Sequence, residues 1–273
     1  MTDVTLSAAT TSALLLTQRT TALAALISNR IATGLRVTRA ADDAAAFFTA
    51  QSLTSRAADL LALKDGINQG ISALGGALAG LSAITDITNQ LRGIVADARG
   101  GSAESRAAAA AQFDILRAQI NSLAADAGFS GINLISASPG SLTVAFNETG
   151  TSSLTVPGAA SDAASLGIGT AAGSFNSFAT DADIDAAIAG LDKAIGALRS
   201  TSSTLGSNAS VLNIRLDFTQ DLANTLRAGA GNLVNADLNE EAAKLLSLRL
   251  KTELSLIGQI IANDSQQAVL KLF

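Results

Sequence analysis

Proline sets the outline of this chain before any other residue type does. Its 273 residues include only two, Pro139 and Pro157, and both sit near the middle. Residues 1–138 and 158–273 have none. Inside a helix a proline removes a backbone donor and clashes with the preceding turn, at a cost of about 3 kcal/mol. Two long proline-free arms around a short proline-bearing centre predict a mainly α fold. The expected form is a long antiparallel helical hairpin, or coiled-coil rod, with the N- and C-terminal helices paired. A small β-hairpin region would occupy the centre.

Periodicity fills in the arms. Residues 4–33 read as an amphipathic helix, with Leu16, Leu23, Ile27 and Ile31 recurring at helical spacing and Leu26 widening the stripe. Gly34 suits its termination, because glycine takes the left-handed conformation freely. A connector carrying Arg36 and Arg39 follows, and Asp42 and Asp43 suit the N-terminus of the next helix. That second pattern runs from about Asp42 to Arg99 through Leu53, Leu60, Ile67, Leu74 and Leu81. Gly66, Gly70, Gly75, Gly76 and Gly80 interrupt it, each costing about 0.5–1 kcal/mol relative to alanine. Such repeated use predicts very close helix contacts. Gly100-Gly101-Ser102 breaks the pattern, and residues 103–127 resume it.

The centre differs. Residues 128–180 are rich in Gly, Ser and Thr. Leu142–Phe146 and Leu154–Val156 alternate in strand fashion around Asn147–Gly150, which predicts a hairpin leaning on a helix. Helix returns at Ile184 and continues, past a softer Ser/Thr stretch, through Leu226.

The last segment, Leu233 to Phe273, has the widest apolar surface. Leu246, Leu250, Leu254, Ile257 and Ile261 form its stripe, with Leu245, Leu248, Leu256 and Ile260 beside it. A single antiparallel partner cannot cover so wide a face over about 54 Å of helix. Both chain ends are therefore expected to bury themselves against copies of the same protein, through Leu16, Leu23 and Ile27 on one side and the stripe on the other.

Composition restricts the chemistry. The chain has no His, Cys, Trp or Tyr. Nucleophilic triads, structural zinc, haem and iron–sulfur ligation each need one of the first two. Asp42/Asp43 read better as helix caps than as a catalytic pair. Asp181, Asp183 and Asp185 lack the glycine and glutamate of a calcium loop, since Ala186 and Asp192 occupy those places. No catalytic residue, metal ligand or cofactor site is expected, so an enzyme is the weakest reading. Net charge is −5, and all 18 Lys and Arg lie outside residues 118–192. No basic stripe predicts nucleic-acid binding. The seven acids of the centre read as a solvated face. No unbroken run of about 20 apolar residues suggests a membrane span, and no cleavable secretory signal is expected at the start.

Three stretches resemble the bacterial flagellins. Asn29–Ala46 is similar to the family's N-terminal signature, with Gly34, Leu35 and Arg36 standing for the G-L-R element and Asp42-Asp43 for the D-D element. Phe129-Ser-Gly-Ile-Asn-Leu-Ile135 resembles the F-N-G turn that closes the N-terminal arm. Asn235–Glu241 and the ending Val269-Leu-Lys-Leu-Phe273 resemble the family's C-terminal arm. The resemblance spans about 1–135 and 185–273.

It implies a structural subunit that polymerises into the extracellular flagellar filament for swimming motility. Residues 1–41 and 232–273 would be the two halves of an inner-tube helical domain. Residues 42–130 and 181–231 would form a helical rod domain, with 131–180 the variable outer segment of a short type lacking additional outer domains. Expected partners are other flagellin copies, an export chaperone on the C-terminal helix, the filament cap and the hook-junction proteins, with type III export as the route out. The family is often O-glycosylated, and here Thr149, Thr151, Ser152, Ser153, Ser174, Ser177 and Thr180 are available. In many flagellins the segment matching Asn89–Ile94 reads Q-R-V-R-E-L and is engaged by a Toll-like receptor. Arg92 matches, but Gln90 and Gly93 replace two charged residues, so weak or no receptor recognition is expected. A hook–filament junction protein shares the terminal helices but usually has a longer centre. An amphipathic membrane-surface binder would want basic polar faces and interfacial Trp or Tyr, which are lacking.

Overall fold

The computed structural model describes residues 8–270. Residues 4–7 of the expected first helix and the last three residues of the Val269–Phe273 ending lie outside them. Eight elements follow in order, named here α1 (Ala8–Thr33), α2 (Ala44–Asp97), α3 (Ala103–Asp126), β1 (Ser141–Ala145), β2 (Ser153–Pro157), α4 (Ala171–Phe175), α5 (Asp181–Val234) and α6 (Leu238–Leu270). The chain is mainly helical, with one small two-stranded antiparallel sheet. Both prolines stay out of the helices. Pro139 precedes β1, and Pro157 closes β2 opposite Ser141. α5 runs unbroken for 54 residues, straight through the Ser/Thr stretch at 200–204.

The chain divides into two compact units, Met1–Ser55 with Thr225–Phe273, and Arg56–Asn224. The second holds the main core. Ile67, Leu74, Leu81, Ile84 and Leu91 of α2, Phe113 and Ile120 of α3, and Ile184, Leu191, Leu198 and Leu212 of α5 are all buried there. An 18-residue window of α2 has a mean hydropathy of 1.4, apolar enough to cross a membrane by length and composition alone. A third of that window, 33%, is buried inside the chain.

The central segment is more than a solvated tip. Leu134, Ile135, Ile168, Phe175 and Phe178 join the same core. Polar side chains on one face of α3 hold this segment by its backbone. Asp114 Oδ1 accepts from Ala171 N at 2.9 Å, Arg117 Nε donates to Ile168 O at 2.7 Å, and Asn121 Oδ1 accepts from Ala163 N at 3.0 Å. The hairpin leans on the helices as expected, with Leu142, Val144 and Val156 buried.

The acidic centre is also less idle than expected. Asp192 pairs with Arg92 at 2.9 Å, Asp181 with Arg106 at 2.6 Å, Asp185 with Arg99, and Glu148 with Arg56 at 3.5 Å. Arg92 on α2, Arg99 in the turn after it and Arg106 on α3 meet a descending series of acids at the N-terminal end of α5 like rungs. Half-exposed pairs of this kind contribute about 0–1 kcal/mol each. Asp183 completes a reciprocal cap: its Oδ2 accepts from Thr180 N at 2.8 Å and from the Thr180 hydroxyl, which in turn accepts from Asp183 N. The Thr180 hydroxyl, then its N–H, holds the Asp183 carboxyl below the usual carboxylate range.

The glycines of α2 divide into two classes. A Cβ at Gly66 or Gly75 would meet nothing within 4 Å, so close contact does not explain them. At Gly70 it would lie 2.6 Å from Val144 Cγ2, and at Gly80 it would lie 2.7 Å from Ala127 Cβ and 2.8 Å from Ile135 Cδ1. The close approaches are thus made mainly to the hairpin and to the turn after α3. Gly80→Ala is expected to cost about 1–3 kcal/mol by overpacking, although alanine is the better helix former. Denaturant unfolding of the variant checks this, and unchanged or raised stability would contradict it.

Candidate assembly surface

The residues of the N-terminal signature form a joint between the two arms. Gly34 ends α1 with φ 72°, donating to Arg30 O at 2.8 Å. The chain then pairs with the break between α5 and α6. Leu35 bridges Asn235, Arg36 N donates to Val234 O at 2.7 Å, and Ala236 N donates to Gly34 O at 2.9 Å. The Arg36 guanidinium adds a bond to Leu233 O at 2.9 Å and lies 3.9 Å from Asp43. The two aspartates take different tasks. Asp43 Oδ1 accepts from Ala46 N at 3.0 Å and caps α2. Asp42 instead braces the connector, accepting from Thr38 N, the Thr38 hydroxyl and Arg39 N, each at 3.0 Å. Those bonds, the Thr38 N–H first, hold the Asp42 carboxyl below the ordinary carboxylate range.

Beyond this joint, α1 and α6 run antiparallel as a pair. The residues shielded along α1 are Thr10, Ala13, Thr17, Thr20, Ala24, Ile27 and Ile31, and along α6 they are Glu241, Leu245, Leu248, Thr252, Ser255, Gln259 and Ala262. Both sets alternate by three and four, the coiled-coil spacing. About half of the seam is polar, and Ile27, Ile31, Leu245 and Leu248 are its large apolar members. The hydroxyls of Thr17 and Ser255 lie 3.0 Å apart, Thr252 reaches Thr20 at 3.4 Å, and Gln259 reaches Thr17 at 3.4 Å. Arg30 donates to the buried Glu241 at 3.3 Å. Thr17, Thr20 and Thr252 also bond to carbonyls of their own helices. Their hydroxyls are therefore satisfied with or without the partner helix, and the pairing gains little from them.

Most of the large apolar residues of the two helices face the other way. Leu16, Leu23, Leu246, Leu250, Leu254, Ile257 and Ile261 are all exposed, the last six from 50% to 71%. Leu16, Leu23, Leu246, Leu254 and Ile261 each lie one residue, about 100° of helix, from a seam position, and Leu250 and Ile257 lie two. Ile27 departs from its expected place: at 6% exposure it lies inside the seam with Leu245 and Leu248. Leu14, Leu15, Leu26, Leu256 and Ile260 extend the outward face. The pair thus encloses a half-polar seam and carries a broad apolar face on its outside. Periodicity located the apolar stripe but assigned Ile27 to it. The threonine repeat on the neighbouring face, at the same three–four spacing, is the signal that would have separated seam from surface.

Two further features were singled out in the sequence. The turn at Phe129–Ile132 is a two-residue hairpin with Ser130 and Gly131 both at positive φ and mutual backbone bonds of 2.9 and 3.0 Å. The asparagine-glycine pair of the family motif suits that turn. Asn133 beside it ties α3 down, donating to Ala124 O and Ala125 O while its Oδ1 accepts from Ile135 N and Ser136 N. Its role was not foreseen. Among the hydroxyls, Thr149, Thr151, Ser153 and Ser174 are exposed, and Ser152 and Ser177 are half-buried. Thr149, Thr151 and Asn147 bond to one another, whereas the Thr180 hydroxyl belongs to the α5 cap. At Asn89–Ile94, Leu91 is buried and Arg92 is held by Asp192.

Comparison with known proteins covers both arms. Residues 5–139 match the bacterial flagellin N-terminal helical region, and residues 188–273 match the bacterial flagellin C-terminal helical region. Flagellin FljK of Caulobacter vibrioides is 33% identical over 249 residues, covering 90% of this chain and 89% of that protein. A flagellin of Brucella melitensis is 28% identical over 252 residues with the same coverage. A crystal structure of Bacillus cereus flagellin is 19% identical with a TM-score of 0.49, covering 56% of this chain and 88% of that one.

Proposed function

The chain belongs to the bacterial flagellin family, and we propose that it enters the filament through the apolar faces that α1 and α6 turn outward. As a flagellin it is a structural subunit of the extracellular flagellar filament, short and without additional outer domains. The observation that carries the proposed route is the apolar face on the outside of the pair. Covering side chains that are each about half exposed contributes about 1 kcal/mol apiece. For the dozen on this face, that is on the order of 10 kcal/mol per subunit before the entropy of association. The seam leaves these side chains uncovered, and neighbouring copies can cover them.

The same surface supports the remaining partners. An export chaperone that covers the stripe from Leu246 to Ile261 would keep the subunit from polymerising before type III export. The cap and hook-junction proteins would offer similar faces at the filament's two ends. A chain without Cys forms no disulfide on the way. Membership in the flagellin family supports a structural role. Receptor recognition is weak or absent on this reading, because Arg92 is already engaged by Asp192 and Gln90 and Gly93 lack the family's charges. Strong receptor activation by purified monomer would overturn that point. Glycans would attach at Thr149, Thr151, Ser152, Ser153, Ser174 or Ser177 in preference to Thr180, whose hydroxyl is committed to the cap. An intact mass equal to that of the bare sequence would dismiss them.

Seeded growth of the purified protein, followed by sedimentation, tests the proposed function. Growth above a critical concentration is expected, and soluble monomer at every concentration is the contrary result.

A further inference from the structure

The end of α1 and the connector after it enclose a polar concavity of about 220 Å³, apart from both the core and the outward apolar face. It follows from the reversal of the chain at Gly34. Asn29 and Arg30 belong to the last turns of α1, and the connector returns beside them with Arg36, Thr38, Arg39 and Asp42. Asp42 fixes the connector there through one oxygen, Oδ2, which accepts from Thr38 N, the Thr38 hydroxyl and Arg39 N.

Donors far outnumber acceptors in this lining. An arginine carries about five N–H donors and no acceptor. Arg30 donates one bond to Glu241, and Arg36 donates one to Leu233 O. Asp43, at 3.9 Å from Arg36, is beyond hydrogen-bond reach. Arg39 is exposed, and among the described residues its guanidinium enters no ion pair. About a dozen guanidinium N–H groups thus remain free, and the Asn29 amide adds a neutral donor. The nearby acceptors are largely committed: Asn29 O accepts from the Thr33 hydroxyl at 2.9 Å, and Arg30 O accepts from Gly34 N at 2.8 Å. Three cations line the space against one carboxylate, and like charges gathered around one space repel unless an anion lies between them.

We propose that this concavity binds one tetrahedral oxyanion, inorganic phosphate or sulfate, between Arg30, Arg36 and Arg39. Guanidinium forks pair with oxyanions through parallel N–H bonds. A carboxylate offers two oxygens, whereas phosphate and sulfate offer four, enough to serve forks that come from both α1 and the connector. The volume lies below that of the pockets that hold larger organic ligands, so it suits a small ion. A bound ion would tie the end of α1 to the connector and stiffen the joint in the single chain, whether or not the chain polymerises.

Equilibrium dialysis of the full-length monomer against radiolabelled inorganic phosphate, at fixed ionic strength, tests the site. One phosphate per chain should bind saturably, and sulfate should displace it where chloride does not. The net charge of −5 gives no general attraction for anions. Arg39→Gln should weaken binding about tenfold or more. The Arg39 guanidinium holds nothing within the chain, so without phosphate this variant should melt as the wild type does. Arg199→Gln, which removes an exposed charge from α5, should bind phosphate as the wild type does. Phosphate should also slow amide exchange over residues 35–40 in the wild type and not in Arg39→Gln. Absence of saturable binding would overturn the site. Equal binding by Arg39→Gln and Arg199→Gln, or displacement by chloride as effective as by sulfate, would do the same.

Discussion

Leu254→Asp and Ile257→Asp, made separately, are expected to abolish filament growth while leaving the subunit folded. Both side chains are exposed in the single chain, at 60% and 53%, and both point away from the seam with α1. An aspartate at either site therefore meets water in the monomer and removes little intramolecular contact. On the proposed assembly the same position is covered by a neighbour, and an unpaired carboxylate there costs several kcal/mol. The penalty recurs at every subunit, so it shifts the critical concentration by orders of magnitude. Circular dichroism should match the wild-type monomer, while sedimentation after seeding should find no polymer. Normal filaments from either variant would show that this stripe is not covered by assembly.

The second large effect falls on folding. Phe113→Ala is expected to destabilise residues 56–224 by about 3–5 kcal/mol. Phe113 is fully buried and meets two other rings edge-on, Phe175 at 6.0 Å and Phe178 at 5.5 Å. Phe175 and Phe178 stack on each other at 6.3 Å. This trio holds a stretch that resists its own shape. Asn176, Ser177 and Phe178 have φ of 44°, 53° and 59°, three consecutive left-handed residues without a glycine. Each such residue costs about 1–2 kcal/mol. Arg106 offsets part of that cost by donating to Phe178 O at 3.1 Å and Ala179 O at 3.0 Å. Without the Phe113 ring the turn loses its main packing partner. Thermal unfolding should move down by about 10 °C or more, and an unshifted transition would remove the trio from the account.

Most of the helical fold was legible because it rests on local rules. Proline placement, the Gly34 terminator, the Gly100–Ser102 break and the alternating strands each act within a few residues, and each appears where those rules put it. What was not legible depends on partners distant in sequence. The acids of α5 looked solvated because their arginines lie about 75 to 100 residues earlier. The centre looked like a loose tip because Leu134, Ile168 and Phe178 are too irregularly spaced to show a period, yet they fill the core. The glycines of α2 suggested one cause and have two, because only Gly70 and Gly80 meet close neighbours.

The assembly surface was half legible for a related reason. An apolar stripe shows in the sequence, but sequence alone does not say whether a helix buries that stripe against its intramolecular partner. On α1 and α6 the polar heptad positions, Thr17, Thr20, Thr252, Ser255 and Gln259, take the seam instead. Ile27 belongs with them, and Leu16 and Leu23 do not.

The covering of that outward face can be measured in a chain that has no cysteine of its own. A single Leu250→Cys places a thiol on the outward stripe, at a site 57% exposed. Its reaction rate with a water-soluble maleimide should be fast in the monomer. In seeded filaments of the same protein it should fall about a hundredfold or more, and equal rates in monomer and filament would contradict the burial of this face by assembly.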